Sequence, residues 1–271
     1  MKTIAEILVL SADFLQKHHI DRAKREAEEI LAQVLGFKRI DLFLHFEMPL
    51  TEQQLQQCRI ALQKRIQHLP FAYIFGFVEF SGIKVHVTPD VLIPRPETEC
   101  LVEAIAKEPL EGSLVDLCCG SGAIGLALKA KFPQLDVTLV DICPKALAVA
   151  QENAHKLNLQ VECVQSDLLA SVNKKIDYLV CNPPYVTTQD YENLSKEVKQ
   201  EPYHALVAGP SGYECYQRLA EELETKNVKH VWFEIGTGMG DWLEKFFTHR
   251  AWVCQVTRDF AGHQRYLSLR R

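Results

Sequence analysis

At 271 residues, the chain is long enough for two domains, or for one large α/β domain with an appendage. Its net charge of −5 at pH 7 argues against a broad phosphate-binding face, because such a face normally shows as an excess of lysine and arginine. The nine cysteines show neither metal-ligand nor disulfide spacing, so we expect a reduced, cytoplasmic protein without a metal site.

The N-terminal part of the chain predicts a small helical bundle. Thr3 and Asp21 are placed to cap the first two helices, and Gly36 is placed to end the second. Thr51 opens a capping-box pattern at the start of a later helix, which Pro70 would end. The opening apolar stretch is short and interrupted by a charge, so we expect neither a secretion signal nor a membrane span.

Residues 71–90 change from helical periodicity to alternation. Apolar and polar residues alternate around Ser81-Gly82, which predicts a β-hairpin that bridges two domains. Residues 91–99 read Val-Leu-Ile-Pro-Arg-Pro-Glu-Thr-Glu, a proline-stiffened entry into a helix. Their mixture of Arg, Thr and acids favours packing near a site, whereas a plain helix start with acids near its N terminus is the equal alternative.

From about residue 112 onward, apolar strands alternate with helical patterns, which is the signal of a parallel α/β sheet. Seven strands are predicted near residues 113–118, 136–141, 160–164, 175–181, 229–235, 251–257 and 264–269. The last two are close enough to form an antiparallel pair. We therefore expect a helical domain over residues 1–70, a hairpin linker over 71–90 and an α/β domain over 91–271.

A glycine-rich turn follows the first of these strands. Gly120, Gly122 and Gly125 satisfy the G-x-G-x-x-G pattern, and Asp141 ends the next strand at the spacing of a ribose-binding acid. Taken alone, this pattern fits a dinucleotide site, as in an NAD-dependent oxidoreductase. Asp116, inside the strand, would repel a pyrophosphate but could attract a cationic amino-acid group.

Ser166-Asp167-Leu168 follows the third strand and places an acceptor and an apolar residue where an adenine could lie. The acids then follow successive strand ends in an order that suits an adenine, a ribose and a cationic methionine end. S-adenosylmethionine is a ligand with these parts, and we expect it as the cofactor.

The tetrapeptide Asn182-Pro183-Pro184-Tyr185 follows the fourth strand, at the edge where ligands bind in α/β sheets. Its prolines make a stiff corner, because each fixes its own φ and keeps the residue before it extended. The Asn182 oxygen and nearby carbonyls could accept both protons of a planar amine and leave the nitrogen lone pair facing an electrophile, with Tyr185 as a flat wall. A strand-ending turn without chemistry is the alternative.

Together, Asp-x-x-x-Gly-x-Gly, Asp141 and Asn182-Pro183-Pro184-Tyr185 resemble the class I amino-methyltransferases. The fuller set of motifs is similar to the release-factor glutamine N5-methyltransferases, often called the HemK or PrmC type; it adds residues 91–99, 205–209, 233–236 and 258–265 and the helical N-terminal domain. Cys118 departs from the pattern, because many methyltransferases have glycine there. We expect a slightly shifted methionine-end contact.

The resemblance implies that residues 91–271 form a Rossmann-like class I methyltransferase domain with a seven-stranded, mostly parallel sheet. Cofactor-binding residues would be Cys118, Cys119, Gly120, Ser121 and Gly122 at the methionine end, Asp141 at the ribose, Asp167 and Leu168 at the adenine, and Asn182. The substrate would be the glutamine of the Gly-Gly-Gln loop in peptide chain release factors. Asn182 and the Pro183 carbonyl would hold its amide in the catalytic position, and Pro184 and Tyr185 would complete the substrate site.

The expected partner is a release factor, with no stable nucleic-acid partner and no membrane, and the expected state is a monomer. Methylation of an exocyclic base amine, such as adenine N6, stays open because adenine presents the same planar amine and would stack on Tyr185. A non-catalytic nucleotide-sensing adaptor is a further alternative that leaves the Asn-Pro-Pro-Tyr corner unexplained. The roles of Arg95, Glu97 and Thr98 and the identity of the proton acceptor are left open.

Overall fold

The computed structural model describes residues 2–271 and divides into two compact units, with the boundary between Phe75 and Gly76. The first unit contains the helices α1 (Ile4–Lys17), α2 (Ala23–Leu35), α3 (Asp41–Leu44), α4 (Glu52–Arg65) and α5 (Phe71–Phe75). Apolar faces of α1, α2 and α4 pack together as its core.

Three of the five predicted helix signals in the first unit are confirmed. Thr3 and Thr51 both form capping boxes, at the starts of α1 and α4. Gly36 ends α2 with φ 68°. The prediction for Asp21 was wrong, because α2 begins at Ala23 and the capping position directly before it is occupied by Arg22, whose side chain makes no capping hydrogen bond.

The boundary of the predicted hairpin was also misplaced at its start. Residues 71–75 form helix α5, since the amides of Tyr73 and Ile74 both donate to the Pro70 carbonyl. Pro70 therefore precedes a helix instead of ending one, and α4 stops earlier, at Arg65.

The second unit opens with the predicted hairpin, β1 (Phe77–Phe80) and β2 (Ile83–His86), which turns at Ser81 and Gly82. Helices and strands then alternate through α6 (Pro96–Ile105), β3 (Ser113–Leu117), α7 (Ala123–Lys131), β4 (Asp136–Asp141), α8 (Pro144–Lys156), β5 (Glu162–Gln165) and β6 (Tyr178–Cys181). Three short elements follow, β7 (Val186–Thr187), α9 (Thr188–Tyr191) and α10 (Tyr203–Leu206). The chain closes with β8 (Val207–Gly209), α11 (Glu214–Thr225), β9 (His230–Glu234), α12 (Gly240–Thr248), β10 (Val253–Arg258) and β11 (Gln264–Arg270).

All seven predicted strands form one sheet in the order β10-β11-β9-β6-β3-β4-β5. The run from β9 to β5 is parallel, and β11 is antiparallel to both of its neighbours, which confirms the α/β fold and the expected antiparallel pair. The two-stranded sheet of β7 and β8 was not predicted, because strands of two and three residues carry no readable alternation.

The central strand β3 is buried along its whole length, as expected for a strand covered on both faces. One face packs with α11 and α12 in a core around Leu179, Tyr216, Phe233 and Phe247. The opposite face packs against α7, where Leu139 approaches Gly125. Among residues 2–271, no helix is both long and apolar enough to cross a membrane.

Candidate active site

A cleft of about 340 Å³ opens at the carboxyl edge of the parallel strands. Residues that follow β3, β4, β5 and β6 line it, at the edge where open α/β sheets bind ligands. The predicted site residues in its lining are Cys118, Gly120, Asp141, Asp167, Leu168, Asn182 and Pro184. Four separate segments of the chain meet in one cleft because the ends of parallel strands share an edge.

The turn between β3 and α7 brings backbone up to the cleft. Gly120 has φ 53° and Gly122 has φ 78°, a region that glycine adopts without steric cost. Cys118, in the position where many methyltransferases have glycine, has φ 57°, which costs a residue with a Cβ atom about 1–2 kcal/mol. A Cβ atom on Gly125 would lie 2.5 Å from Leu139 Cδ2, so only glycine lets α7 pack this close to the sheet.

The other predicted residues of this turn do not line the cleft. They are Cys119, Ser121 and Gly122, and they hold the backbone of the turn in place. The Cys119 amide donates to the Val140 carbonyl at 3.0 Å, and the Gly122 amide donates to the Cys119 carbonyl at 2.7 Å. The Ser121 carbonyl accepts a hydrogen bond from Asn153 Nδ2 at 2.9 Å. Their contacts support the backbone position of the turn.

Asn153 was not recognised from the sequence, where it is one polar residue in a helical pattern. Its buried side chain accepts from the His86 amide at 2.7 Å and donates to the His86 and Ser121 carbonyls at 2.9 Å. Asn153 therefore fastens hairpin strand β2 to the glycine turn.

Asp116 does not line the cleft, contrary to the expectation that it faces a cationic group. It points to the α7 face and accepts the Gly125 amide on Oδ2 at 2.7 Å. Its Oδ1 atom is buried without a hydrogen-bond partner in the described part of the chain. Burial raises the pKa of Asp116 to about 7 against the opposing Gly125 hydrogen bond, and the nearby Asp141 adds to the rise.

Asp141 does line the cleft, and two backbone amides orient its carboxylate. Gly120 donates to Oδ2 and Cys143 donates to Oδ1, both at 2.9 Å. Each carboxylate oxygen can accept a further hydrogen bond. The group can therefore receive a pair of hydroxyls in the cleft, as a ribose would supply.

After β5, Leu168 supplies a buried apolar wall with φ 49°. Asp167 lies at the rim, where Arg218 Nη2 contacts its Oδ2 at 2.7 Å. An apolar wall beside an acceptor suits the face and edge of an adenine.

The Asn182-Pro183-Pro184-Tyr185 corner separates the cleft from a small second cavity of about 50 Å³. Asn182 and Pro184 line both cavities, whereas Pro183 and Tyr185 line the second. No protein donor within residues 2–271 bonds the Asn182 side-chain oxygen or the Pro183 carbonyl. Two oxygens that can accept hydrogen bonds thus lie on a rigid corner where two cavities adjoin.

Tyr185 adds a neutral aromatic wall to the second cavity. Burial is the main reason that the pKa of Tyr185 is raised to about 12, and the Glu234 carboxyl raises it further. The phenol therefore stays protonated at neutral pH and carries no charge.

Residues 91–99 do pack at the site, with Leu92 in the lining of both cavities and Arg95 in that of the second. The buried Glu201 holds them, accepting the Ile93 amide at 3.0 Å and Arg95 Nη2 at 2.5 Å. Sequence reasoning missed Glu201, since a single acid in an irregular segment carries no pattern.

Thr98 and Glu234 join this segment to the sheet. Thr98 Oγ1 donates to Glu234 Oε2 at 2.6 Å, and both residues are buried. Glu234 also lines the second cavity, beside Asn182 and Tyr185. Phe233-Glu234-Ile235-Gly236 was noted as a motif in the sequence, but nothing there connected it with Thr98.

Comparison with known proteins agrees with this geometry. Residues 96–209 match the family described as methyltransferase small domain, and residues 6–76 match the PrmC N-terminal domain. The release factor glutamine methyltransferase of Chlamydia trachomatis serovar D is 37% identical, over 97% of this chain and 93% of that protein.

Solved structures show the same fold at low identity. The hMettl16 catalytic domain, in complex with a MAT2A 3′UTR hairpin, has a TM-score of 0.57 at 15% identity and covers 83% of each chain. A Thermus thermophilus 16S rRNA methyltransferase, in complex with AdoMet and guanosine, has a TM-score of 0.50 at 16% identity, over 72% of this chain and 49% of that one. These likenesses confirm the methyltransferase fold, and the full-length match decides the family: the chain belongs to the release factor glutamine methyltransferases.

Proposed function

We propose that this protein transfers the methyl group of S-adenosylmethionine to the side-chain nitrogen, N5, of the glutamine in the Gly-Gly-Gln loop of peptide chain release factors. The observation that carries the proposal is the corner at Asn182 and Pro183. Asn182 lines both the strand-edge cleft and the second cavity, Pro183 lines the second, and neither oxygen receives a hydrogen bond from residues 2–271. The relative from Chlamydia trachomatis, matched along 97% of this chain, is named for this activity.

The cleft fits S-adenosylmethionine. Its volume of about 340 Å³ lies within the range of small-molecule and cofactor pockets. Asp141 offers an oriented carboxylate for the ribose, Leu168 and Asp167 an apolar wall with an acceptor for the adenine, and Cys118 and Gly120 a close backbone for the methionine end. When bound, the cofactor supplies an electrophilic methyl group, and the residues of this chain position the acceptor.

An amide nitrogen is a poor nucleophile because its lone pair is delocalised into the carbonyl. Asn182 Oδ1 and the Pro183 carbonyl would each accept one N–H of the glutamine amide, so that the lone pair faces the cleft. Correct positioning can supply about 7–11 kcal/mol in favourable cases. Acceptors aimed at the positive charge that develops on the nitrogen add to this effect.

The second cavity would receive the glutamine side chain. Pro184 and Tyr185 would confine it, with Tyr185 as a flat neutral wall. The cavity adjoins the cleft at Asn182, so a glutamine in one cavity and a methyl donor in the other would meet at this corner.

The remaining assignments belong to the same proposal. Residues 1–70 would recognise the release factor, 71–90 would link the domains and 91–271 would carry out methyl transfer. The protein would act as a monomer without a stable nucleic-acid partner, in keeping with its net charge of −5. Its nine free cysteines suit the reducing cytoplasm.

The test is transfer of labelled methyl groups from S-adenosylmethionine to a purified release factor. The matched control is the same factor with the Gly-Gly-Gln glutamine changed to alanine, and RNA and duplex DNA are assayed in parallel. We expect label on the unmodified factor alone. Label on nucleic acid would contradict the proposal and support the base-amine alternative. Equal label on both forms of the factor would contradict it by placing the methyl group on another residue of the factor.

A further inference from the structure

Asn182 and Glu234 occupy matching positions on neighbouring strands. Strands β6 and β9 are parallel, and their last paired residues at the carboxyl edge are Cys181 and Phe233. Asn182 and Glu234 are the next residue of each strand. Phe233 faces the core formed with α11 and α12, so the alternation of side chains directs Glu234 to the opposite face, where Thr98 meets it.

One oxygen of Glu234 is occupied and the other is not. Thr98 Oγ1 donates to Oε2 at 2.6 Å, whereas Oε1 receives no hydrogen bond from any of residues 2–271. Glu234 lines the same cavity as Asn182, Pro183 and Tyr185. A carboxylate with a free oxygen therefore lies in the cavity that would hold the glutamine amide.

Methylation of a primary amide leaves a proton to be removed. The nitrogen starts with two hydrogens and ends with one hydrogen and one methyl group. Asn182 and Pro183 offer neutral oxygens, which can accept hydrogen bonds but are far too weakly basic to hold a proton. A carboxylate can accept it, and among the charged side chains that line this cavity, Arg95 and Glu234, only Glu234 is a base.

We propose that the Glu234 carboxylate accepts the proton that the glutamine amide loses on methylation. This inference rests on the function proposed above. The nitrogen lone pair forms the new N–C bond while the C–S bond breaks and its electron pair stays on sulfur. Once the nitrogen carries the methyl group, one N–H leaves its neutral acceptor in the corner and its proton passes to Glu234 Oε1, so the products are N5-methylglutamine, S-adenosylhomocysteine and a neutral carboxylic acid that later releases its proton to water.

The groups around Glu234 suit a base. Burial raises the pKa of the carboxyl group, whereas the Thr98 hydroxyl opposes this rise. Arg265 and Arg95 also lower the pKa, and Glu97 raises it. The Tyr185 phenol completes the surroundings and stays neutral because its own pKa is raised to about 12. The carboxyl group is thus more basic than one in water.

The test compares Glu234→Gln with wild type and with Thr98→Val. Glutamine keeps an oxygen that can accept the Thr98 hydroxyl but cannot take up a proton. We expect its kcat to fall by about 10²–10⁴, the usual range for loss of a general base. The KM values for both substrates and the binding of S-adenosylhomocysteine should be unchanged. Thr98→Val removes only the supporting hydrogen bond and should cost less than tenfold.

Two further measurements separate proton transfer from a structural role. The kcat of wild type should fall as the pH drops through the pKa of the carboxyl group, and Glu234→Gln should lack this acid limb. Glu234→Asp should recover part of the rate together with the acid limb. An infrared difference titration of wild type should show the carbonyl band of a protonated buried carboxyl group, which Glu234→Gln should lack.

The outcomes keep this inference distinct from the proposed function. If wild type does not methylate the release factor, the proposed function fails. If wild type does and the kcat of Glu234→Gln stays within threefold of it, the inference is overturned and the proposed function stands. Loss of S-adenosylhomocysteine binding in Glu234→Gln together with a missing carboxyl band in wild type would also overturn it.

Discussion

The Asn182 amide oxygen and the Asp116 Oδ1 atom both lack a protein donor within residues 2–271, with opposite consequences. The Asn182 side chain lines two cavities and is accessible to a ligand. The Asp116 atom is sealed between sheet and helix, where the missing partner makes ionisation unfavourable. The accessible oxygen of Asn182 can therefore bind a substrate, whereas the buried oxygen of Asp116 makes the free energy of unfolding depend on pH.

Asn182→Ala should remove one of the two acceptors that hold the amide. We expect kcat to fall by about 10²–10³, by analogy with the loss of one donor from an oxyanion hole. The affinity for S-adenosylhomocysteine, measured by calorimetry, should stay close to that of wild type because Asp141, Leu168 and the glycine turn are untouched. Wild-type turnover by this variant would contradict the role of the corner.

Asp116→Asn should change how stability depends on pH. The folded-state pKa of about 7 lies above the unfolded value near 4, so the folded state holds an extra proton between these values. The free energy of unfolding of wild type should therefore fall as the pH rises from about 4 to about 7, by roughly 1–3 kcal/mol. Asparagine can still accept the Gly125 amide, and denaturation of this variant at pH 5 and pH 8 should not show that loss.

At the scale of elements, the site depends on segments that are held in place by single buried side chains. Glu201 fastens residues 91–95, Thr98 and Glu234 join α6 to β9, and Asn153 joins β2 to the glycine turn. The cavity walls are loops and element ends, so their geometry depends on these few bonds and less on the packed core.

Glu201→Gln should loosen the segment that walls both cavities. The variant loses the charge opposite Arg95 while its amide oxygen can still accept the Ile93 amide. Arg95 is partly exposed, so we expect a cost of about 1 kcal/mol in stability. The KM for the release factor should rise several-fold. Faster hydrogen exchange over residues 91–95 would support this reading, and the exposed change Glu192→Gln is the matched control.

The sequence predicted the sheet and the edge of the sheet at which the site residues meet, because local patterns of residues encode both. Apolar runs that alternate with helical patterns identify seven strands, and the carboxyl edge then collects Cys118, Asp141 and Asn182. The predictions for Asp21 and Pro70 were wrong. At Asp21 the reason is that a helix start displaced by one residue changes which side chain can cap the helix. Glu201 and the Thr98–Glu234 pair were missed because their partners lie 106 to 136 residues away, beyond any local pattern.

At the scale of the whole molecule, one edge of the sheet carries the site and the other contributes to stability. The carboxyl edge carries the cleft, and the amino edge is held by Asp177. This buried carboxylate accepts hydrogen bonds from the Ser113 amide and hydroxyl and pairs with Lys175 and Lys229. These contacts hold the pKa of Asp177 well below its usual range, with the Lys175 contact the largest cause.

Asp177→Asn should therefore weaken the fold and spare the chemistry. Because the folded pKa is lowered, the carboxylate stabilises the protein at neutral pH, and this contribution is lost as the pH falls below about 4. We expect a loss of about 1 kcal/mol at pH 7 and a lower melting temperature, with kcat unchanged well below that temperature. The difference from wild type should vanish under acid conditions; a difference that persists there would contradict the assignment.

The bond between Thr98 and Glu234 has a consequence for biosynthesis. The two residues are 136 positions apart. The Glu97 carbonyl accepts a hydrogen bond from the Tyr266 hydroxyl, which lies 169 positions later. A ribosome must therefore reach Tyr266 before both of these contacts of α6 can form. A growing chain can contain both the glycine turn and the Asn-Pro-Pro-Tyr corner and still lack a completed cavity wall. Activity should begin only after the segment that contains Tyr266 has been made.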